Sequence, residues 1–276
     1  MNIKECLEWG YDKLKNIDNY RNICINILAE ILSKDNVFII VHYLDKINEK
    51  DVEKFKKNIK DFIDGKPIQY INNKAYFMGL EFYVDENVLI PRCDTEILVE
   101  EIIEIAKKNH IIKILDLCTG SGAIAISLKK YLNNIEIFAS DISDKALMVA
   151  KKNASKIGVN VKFIESDLFN NISEKFDLIV SNPPYIEKSV IPLLEKQVRK
   201  EPLLALDGGR DGLDFYKKIS NDAKKFLSNN GYLCFEIGYN QRIKVEDILL
   251  KNGYSSIYSK KDYGHNDRIV ICRYGG

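Results

Sequence analysis

From Asp94 to the end of the chain, short apolar runs alternate with segments of helical periodicity, and that alternation restricts the fold more than any other feature. The runs fall at 113–117, 136–140, 161–164, 176–181, 232–237, 254–258 and 268–272, each rich in Ile, Val, Leu, Phe or Tyr. Residues 96–108 carry apolar side chains at helical spacing ahead of the first run. Strands separated by helices predict an α/β domain with a mostly parallel, doubly wound sheet. No long helix fits between the last two runs, so at least one of them is expected to be antiparallel.

The first part of the chain has another rhythm. Between Ile3 and Ile63 apolar residues recur at helical intervals, as in Cys24, Ile27, Leu28, Ile31 and Leu32, and proline is absent before Pro67. A helical N-terminal domain over 1–72 is expected. An aromatic-rich stretch, Ala75 to Val84, is broken by Gly79 and reads as a hairpin within a linker at 73–90. The α/β domain then occupies 91–276. A total of 276 residues suits two domains of unequal size.

Charge excludes one class of partner. The net charge is +1, and the first 75 residues hold 13 Lys or Arg against 12 Asp or Glu. A protein that gripped phosphates would carry a basic excess, so no direct nucleic-acid binding is expected. Cys6, Cys24, Cys93, Cys118, Cys234 and Cys272 are scattered, with no CxxC pair and no histidine at ligand spacing. Free thiols in a cytoplasmic protein, and no metal, are the expectation. No apolar signal region opens the chain, and no stretch is long enough to span a membrane.

Two segments carry chemistry. In Ile114-Leu115-Asp116-Leu117-Cys118-Thr119-Gly120-Ser121-Gly122-Ala123-Ile124-Ala125 a strand runs into a glycine-rich turn and a helix start. Ligands of open α/β sheets bind beyond the carboxyl ends of the strands. Gly120 and Gly122 would let a ligand approach the backbone, and Asp116 offers a carboxylate to an amino group. Asp141 ends the second strand, where it suits a pair of ribose hydroxyls. Asp167 follows the third, in Glu165-Ser166-Asp167-Leu168-Phe169, where it suits an adenine amine. A G-x-G turn with a later acid also fits a nicotinamide site, with Ala125 in place of the third glycine.

The second segment is Asn182-Pro183-Pro184-Tyr185, directly behind the apolar run 176–181. Each proline fixes its own φ and pushes the preceding residue into an extended conformation. Such a stiff loop can grip a planar, weakly nucleophilic nitrogen. The Asn182 Oδ1 atom and the Pro183 carbonyl can accept its two N–H bonds, and Tyr185 can cover its face. Hydride transfer has no use for this loop, so the order of turn, acid, acid and Asn-Pro-Pro-Tyr argues against a nicotinamide site.

That order resembles a class I S-adenosylmethionine-dependent methyltransferase, and more closely the PrmC/HemK family of release-factor glutamine N5-methyltransferases. The similar segments include Gly65 to Ile71, Phe82 to Arg92, Asp116 to Ala125, Ser166 to Phe169, Ser181 to Ile186, Ala205 to Tyr216 and Glu236-Ile237-Gly238. The resemblance implies a seven-stranded Rossmann-like methyltransferase sheet behind the helical domain and hairpin linker. It implies S-adenosyl-L-methionine as cofactor and class I peptide chain release factors as substrates, in a monomer whose N-terminal helices dock the substrate. Asp116, Thr119, Gly120 and Gly122 would line the methionine end, Asp141 the ribose, and Asp167 with Leu168 the adenine. Asn182, Pro183, Pro184 and Tyr185 would hold the glutamine, with Asn182 also near the cofactor.

Three departures stand out. Cys93 replaces a proline of the family's Ile-Pro-Arg-Pro-Glu-Thr-Glu loop, which predicts a softer loop. Cys118 replaces a glycine of the cofactor turn, and Leu203 an arginine. The Gly208-Gly209-Arg210-Asp211-Gly212 stretch reads as a structural turn. A DNA or RNA amino-methyltransferase, acting on adenine N6 or guanine N2, is the alternative enzyme. It would flip a base and need a basic groove.

Overall fold

The computed structural model describes residues 1–275. It divides into two compact units, one of residues 1–73 with 195–200, the other of residues 74–194 with 201–275. The first holds α1 (Ile3–Leu14), α2 (Tyr20–Leu32), α3 (Asn36–Val41), α4 (Glu49–Ile63) and α5 (Ile68–Asn72). Asparagine and aspartate side chains cap three of these helices. Asn2 forms a reciprocal capping box with Glu5, Asp35 accepts from the Phe38 N–H, and Asn48 from that of Asp51. The inward faces bury Leu7, Leu14, Cys24, Ile27, Leu28 and Phe55 in a core of their own.

The second unit opens with β1 (Ala75–Phe77) and β2 (Leu80–Phe82), paired antiparallel. Met78 and Gly79 turn the chain between them, both at positive φ, as a tight hairpin requires. Then come α6 (Glu96–Lys108), β3 (Lys113–Leu117), α7 (Ala123–Tyr131), β4 (Glu136–Asp141), α8 (Asp144–Ile157), β5 (Lys162–Glu165) and β6 (Phe176–Ser181). The chain closes with α9 (Leu203–Leu206), α10 (Asp214–Asp222), β7 (Leu227–Glu236), α11 (Arg242–Lys251), β8 (Ser255–Lys261) and β9 (Asp267–Tyr274).

Seven strands form one sheet in the order β5-β4-β3-β6-β7-β9-β8. The pairs from β5 to β7 are parallel; β9 is antiparallel to both β7 and β8. Alternate residues of each strand feed opposite cores. Ile114, Leu178, Val180 and Cys234 pack with α6 and α7 on one face, while Leu115, Leu117, Ile179 and Phe235 pack with α10 and α11 on the other. This is the doubly wound arrangement expected from the alternation. The strand β7 begins five residues ahead of its expected start. Asn229-Asn230-Gly231 looks like a turn, yet it lies inside β7 as a bulge, with Asn230 at positive φ and the register against β6 shifted.

The order of strands reverses between β3 and β6. From β3 the chain winds outward to β4 and β5, then returns to lay β6 on the other side. A crevice therefore opens beyond the carboxyl ends of β3 and β6, where both chemistry-bearing segments begin.

Candidate active site

A pocket sits at this switch point. Its wall includes Cys118 and Gly120 from the turn after β3, Asp141 at the end of β4, Asp167 and Leu168 after β5, and Asn182 and Pro184 after β6. The glycine turn is shaped from beneath by Asp116. This carboxylate is fully buried, and its Oδ2 accepts from the Thr119 hydroxyl at 2.6 Å and the Ala125 N–H at 3.2 Å. Burial pushes its pKa up to about 7, and its Oδ1 has no hydrogen-bond partner. Asp116, Thr119 and Gly122 thus support the turn and are not among the pocket's wall residues. Gly120 faces the pocket directly: a Cβ added there would meet nothing within 4 Å, and its φ is +55°.

Asp141 organises the same turn from the neighbouring strand. One carboxylate oxygen accepts the Gly120 N–H at 2.9 Å, the other the Ser143 N–H at 3.0 Å. A carboxylate has about four acceptor positions, so each oxygen can still take a hydroxyl. Burial raises the Asp141 pKa, against backbone donors that favour its charge. Next to it, Leu168 is held at φ +48°, an uncommon conformation for a branched residue. The Ser166 hydroxyl enforces it by donating to the Leu168 carbonyl and accepting the Asn171 N–H. Strain maintained by such bonds is typical of a functional loop.

Two wall segments come from outside the expected set. Asn87, Val88 and Leu89 of the linker form one side, and Pro202, Leu204 and Ala205 another. Glu201, 5 % exposed, joins them by accepting the Ile90 N–H and pairing with Arg92. The loop carrying Cys93 in place of proline is therefore tied down by an ion pair, with Cys93 itself exposed.

The Asn-Pro-Pro-Tyr segment is held from several directions. Asn182 Nδ2 points to the Thr95 hydroxyl at 3.4 Å, and the Tyr185 hydroxyl donates to Glu236 at 3.4 Å. Both prolines are buried, and Pro183 and Tyr185 are not among the wall residues. Gln241, also buried, donates from Nε2 to the Tyr185 and Gly212 carbonyls and accepts the Gly238 N–H on Oε1. The backbone after Tyr185 is zipped to the glycine loop by Ile186 N–H to Leu206 O and Gly208 N–H to Ile186 O. Gly208 is obligatory there, because a Cβ would lie 2.6 Å from Tyr185 Cα and 2.9 Å from the Pro184 carbonyl oxygen. The Gly208 to Gly212 stretch is thus a buttress for the tetrapeptide.

Thr95, Glu236, Gln241 and Gly208 escaped identification as site residues because each acts on the tetrapeptide from a distant part of the chain. Glu236, at the end of β7, is 1 % exposed, and burial raises its pKa to about 7. Thr95, Arg268 and Tyr185 act against that rise.

Comparison with known proteins decides among the readings of such a site. Residues 93–199 match the family model described as methyltransferase small domain, and residues 5–72 match the PrmC N-terminal domain. The release factor glutamine methyltransferase of Clostridium acetobutylicum is 41% identical over 284 residues, covering 100% of both chains. The chain belongs to the release factor glutamine methyltransferase family. The Clostridium botulinum relative of the same name is also 41% identical, covering 99% of each chain. Among solved structures, a methyltransferase from Pyrococcus furiosus shares the fold at a TM-score of 0.54 and 16% identity, covering 80% of this chain and 99% of that one. The enzyme's fold is that of the expected methyltransferase sheet, and among the described residues no helix is long and apolar enough to cross a membrane.

Proposed function

We propose that the enzyme methylates the side-chain amide nitrogen of a glutamine, the one in the Gly-Gly-Gln loop of class I peptide chain release factors, with S-adenosyl-L-methionine as donor. The observation that carries this reading is the sharing of one pocket wall by Gly120, Asp141 and Asn182. A carboxamide beside a cofactor turn suits an acceptor that is itself planar and carries two N–H bonds.

The residues present fit such a cofactor. The open space above Gly120 accepts a ligand against the backbone, and Asp141 has acceptor capacity left for a ribose diol. Asp167 and Leu168, on the wall, would take the adenine edge. Asp116, Thr119 and Gly122 would act by setting the turn. When bound, S-adenosyl-L-methionine supplies a methyl group on a sulfonium sulfur that is electrophilic without further activation.

The protein's task is then orientation. An amide nitrogen is a poor nucleophile because its lone pair is delocalised into the carbonyl. Asn182 Oδ1 and the Pro183 carbonyl would accept the amide N–H bonds, aim the lone pair and stabilise positive charge growing on nitrogen. Tyr185 would keep the loop in place and help exclude water. Burial and the nearby Glu236 raise its pKa, so its phenol stays a hydrogen-bond donor. No general base is required before transfer, because the nitrogen proton becomes acidic only afterwards. The helical N-terminal unit is assigned to docking the protein substrate.

The decisive test is transfer of labelled methyl from S-adenosyl-L-methionine to a purified class I release factor, beside a Gln→Ala version of its Gly-Gly-Gln loop. Label on the intact factor alone is expected. Label on both, or on nucleic acid instead, would overturn the assignment.

A further inference from the structure

The buried carboxylate of Glu236 is not explained by cofactor binding or by methyl transfer itself. It lies at the carboxyl end of β7, beside the tetrapeptide, and its Oε2 has no hydrogen-bond partner. A buried acid left in this state is costly unless it has a task. Its neighbours come from every element around it: Asp94 and Thr95 from the turn before α6, Tyr185 from the tetrapeptide, Tyr216 from α10 and Arg268 from β9. Tyr216 spends its hydroxyl on the Glu236 carbonyl, and Arg268 is bound to Asp262. The Tyr185 hydroxyl donates to Oε1 at 3.4 Å, and the Thr95 hydroxyl lies beside the carboxylate.

We propose that Glu236 fixes which end of the Asn182 carboxamide faces the acceptor, acting through the Thr95 hydroxyl. The inference rests on the assignment of Asn182 to the acceptor amide. An ionised carboxylate only accepts hydrogen bonds. With Oε2 unpartnered and the Thr95 hydroxyl beside the carboxylate, Thr95 can turn its single proton to Oε2 and keep its lone pairs for Asn182. Asn182 then has to present Nδ2 to Thr95, which is the orientation seen. Oδ1 is the atom left for the substrate N–H. Thr95 makes no capping bond at the start of α6, so its hydroxyl is free for this relay. The same carboxylate accepts from the Tyr185 hydroxyl, so one acid holds both polar side chains of the tetrapeptide. Both contacts are long, as catalytic hydrogen bonds often are before substrate arrives.

Protonation undoes the device. A neutral Glu236 can donate to Thr95, which frees the Thr95 proton for Asn182 and permits the carboxamide to flip. The wrong end, Nδ2, would then oppose the substrate N–H. With the Glu236 pKa near 7, turnover should fall on the acid side of neutrality. Glu236 and Thr95 are positioning residues in this scheme, since neither touches the acceptor.

Single-turnover methyl transfer with Glu236→Gln, Thr95→Val, Thr95→Ser and the Glu236→Gln/Thr95→Val pair tests it. Glu236→Gln and Thr95→Val should each lower the rate by about 100-fold, the cost of a slightly misplaced group, with cofactor affinity within about twofold. Thr95→Ser should stay within about threefold of the parent. The double variant should be no slower than the worse single one, because the two act in series. The acid limb of the rate profile should vanish in Glu236→Gln. Parent-like rates in both single variants, with Asn182→Ala inactive, would overturn the relay but leave the Asn182 assignment standing. An active Asn182→Ala would overturn that assignment first. Losses that multiply in the double variant would also refute the relay. If Glu236→Gln does not fold, Thr95→Val against Thr95→Ser decides, and equal rates refute it.

Discussion

The two halves of the pocket are built differently. On the proposed cofactor side the work is done by a contiguous turn, the end of β4 and the loop after β5, braced mainly by backbone N–H groups. On the acceptor side a four-residue loop is held by Thr95, Gly208, Glu236 and Gln241, drawn from separate stretches of the chain. A local motif can bind a ligand common to many reactions. Presenting one lone pair along one line demands constraints from several directions, and these come from tertiary structure.

If that contrast is right, damage to the two halves should separate kinetically. Asn182→Ala removes the group proposed to accept the substrate N–H and should lower kcat by about 100- to 1000-fold, the usual cost of one transition-state hydrogen-bonding group. Cofactor affinity, measured by calorimetry, should change by no more than a few-fold. Equal loss of both would erase the distinction. Asp141→Asn should do the reverse. It removes charge from the carboxylate proposed to bind the ribose hydroxyls, worth about 1.5–3 kcal/mol, and should weaken cofactor binding about 10- to 100-fold with kcat at saturation nearly intact. Gly208→Ala sharpens the comparison from a distance. The new methyl would collide with Tyr185 and shift the tetrapeptide, so kcat should fall about tenfold while cofactor affinity holds.

Stability offers a smaller, independent reading. Asp116 and Glu236, one under each half, both have pKa values raised to about 7 by burial. Between the ordinary carboxylate range and pH 7 the folded enzyme binds more protons than the unfolded chain. Stability should therefore decline as pH rises through that window, and the loss should be complete above it. Thermal midpoints of the ligand-free enzyme from pH 5 to 8 check the sign, and Glu236→Gln should flatten the slope. A midpoint that rises with pH would show that neither acid is as buried in solution.

How much of this was legible before the structure follows the same divide. The sheet, its switch point and the cofactor wall lie in runs of adjacent residues, so period and turn chemistry reveal them. The bulge at Asn230 was hidden because its residues are turn formers that β7 absorbs between two paired stretches. Asp116 was expected to face a ligand, and its bonds to Thr119 and Ala125 were not legible, since a strand-ending acid after an apolar run gives no sign of how the next turn folds. Thr95 and Glu236 stand out in sequence only as parts of resembling segments, and nothing local says that they meet Asn182 and Tyr185. The linker's Asn87 to Leu89 looked like a connector because a wall formed by irregular backbone has no periodicity.

One departure from the family pattern can be turned into a measurement of backbone strain on the cofactor side. Cys118 occupies φ +61° where relatives were expected to carry glycine. A side chain in this left-handed region costs about 1–2 kcal/mol relative to glycine. Glycine also gives the unfolded chain more freedom, which costs about 0.4–1 kcal/mol, so Cys118→Gly should stabilise the fold by no more than about 1.6 kcal/mol. The informative comparison is with Cys118→Ala, which removes the thiol but keeps the strain. At an ordinary helix position alanine is more stable than glycine by about 0.5–1 kcal/mol. Here the order should invert, with the glycine variant more stable by roughly 0.5 kcal/mol in urea unfolding. Neither variant should alter kcat, because the Cys118 thiol is kept protonated: burial raises its pKa, and the Asp141 carboxylate adds to the effect. Alanine proving the more stable of the two would mean that the turn relaxes out of the left-handed region, and that its geometry is set by the bound ligand instead of by the chain.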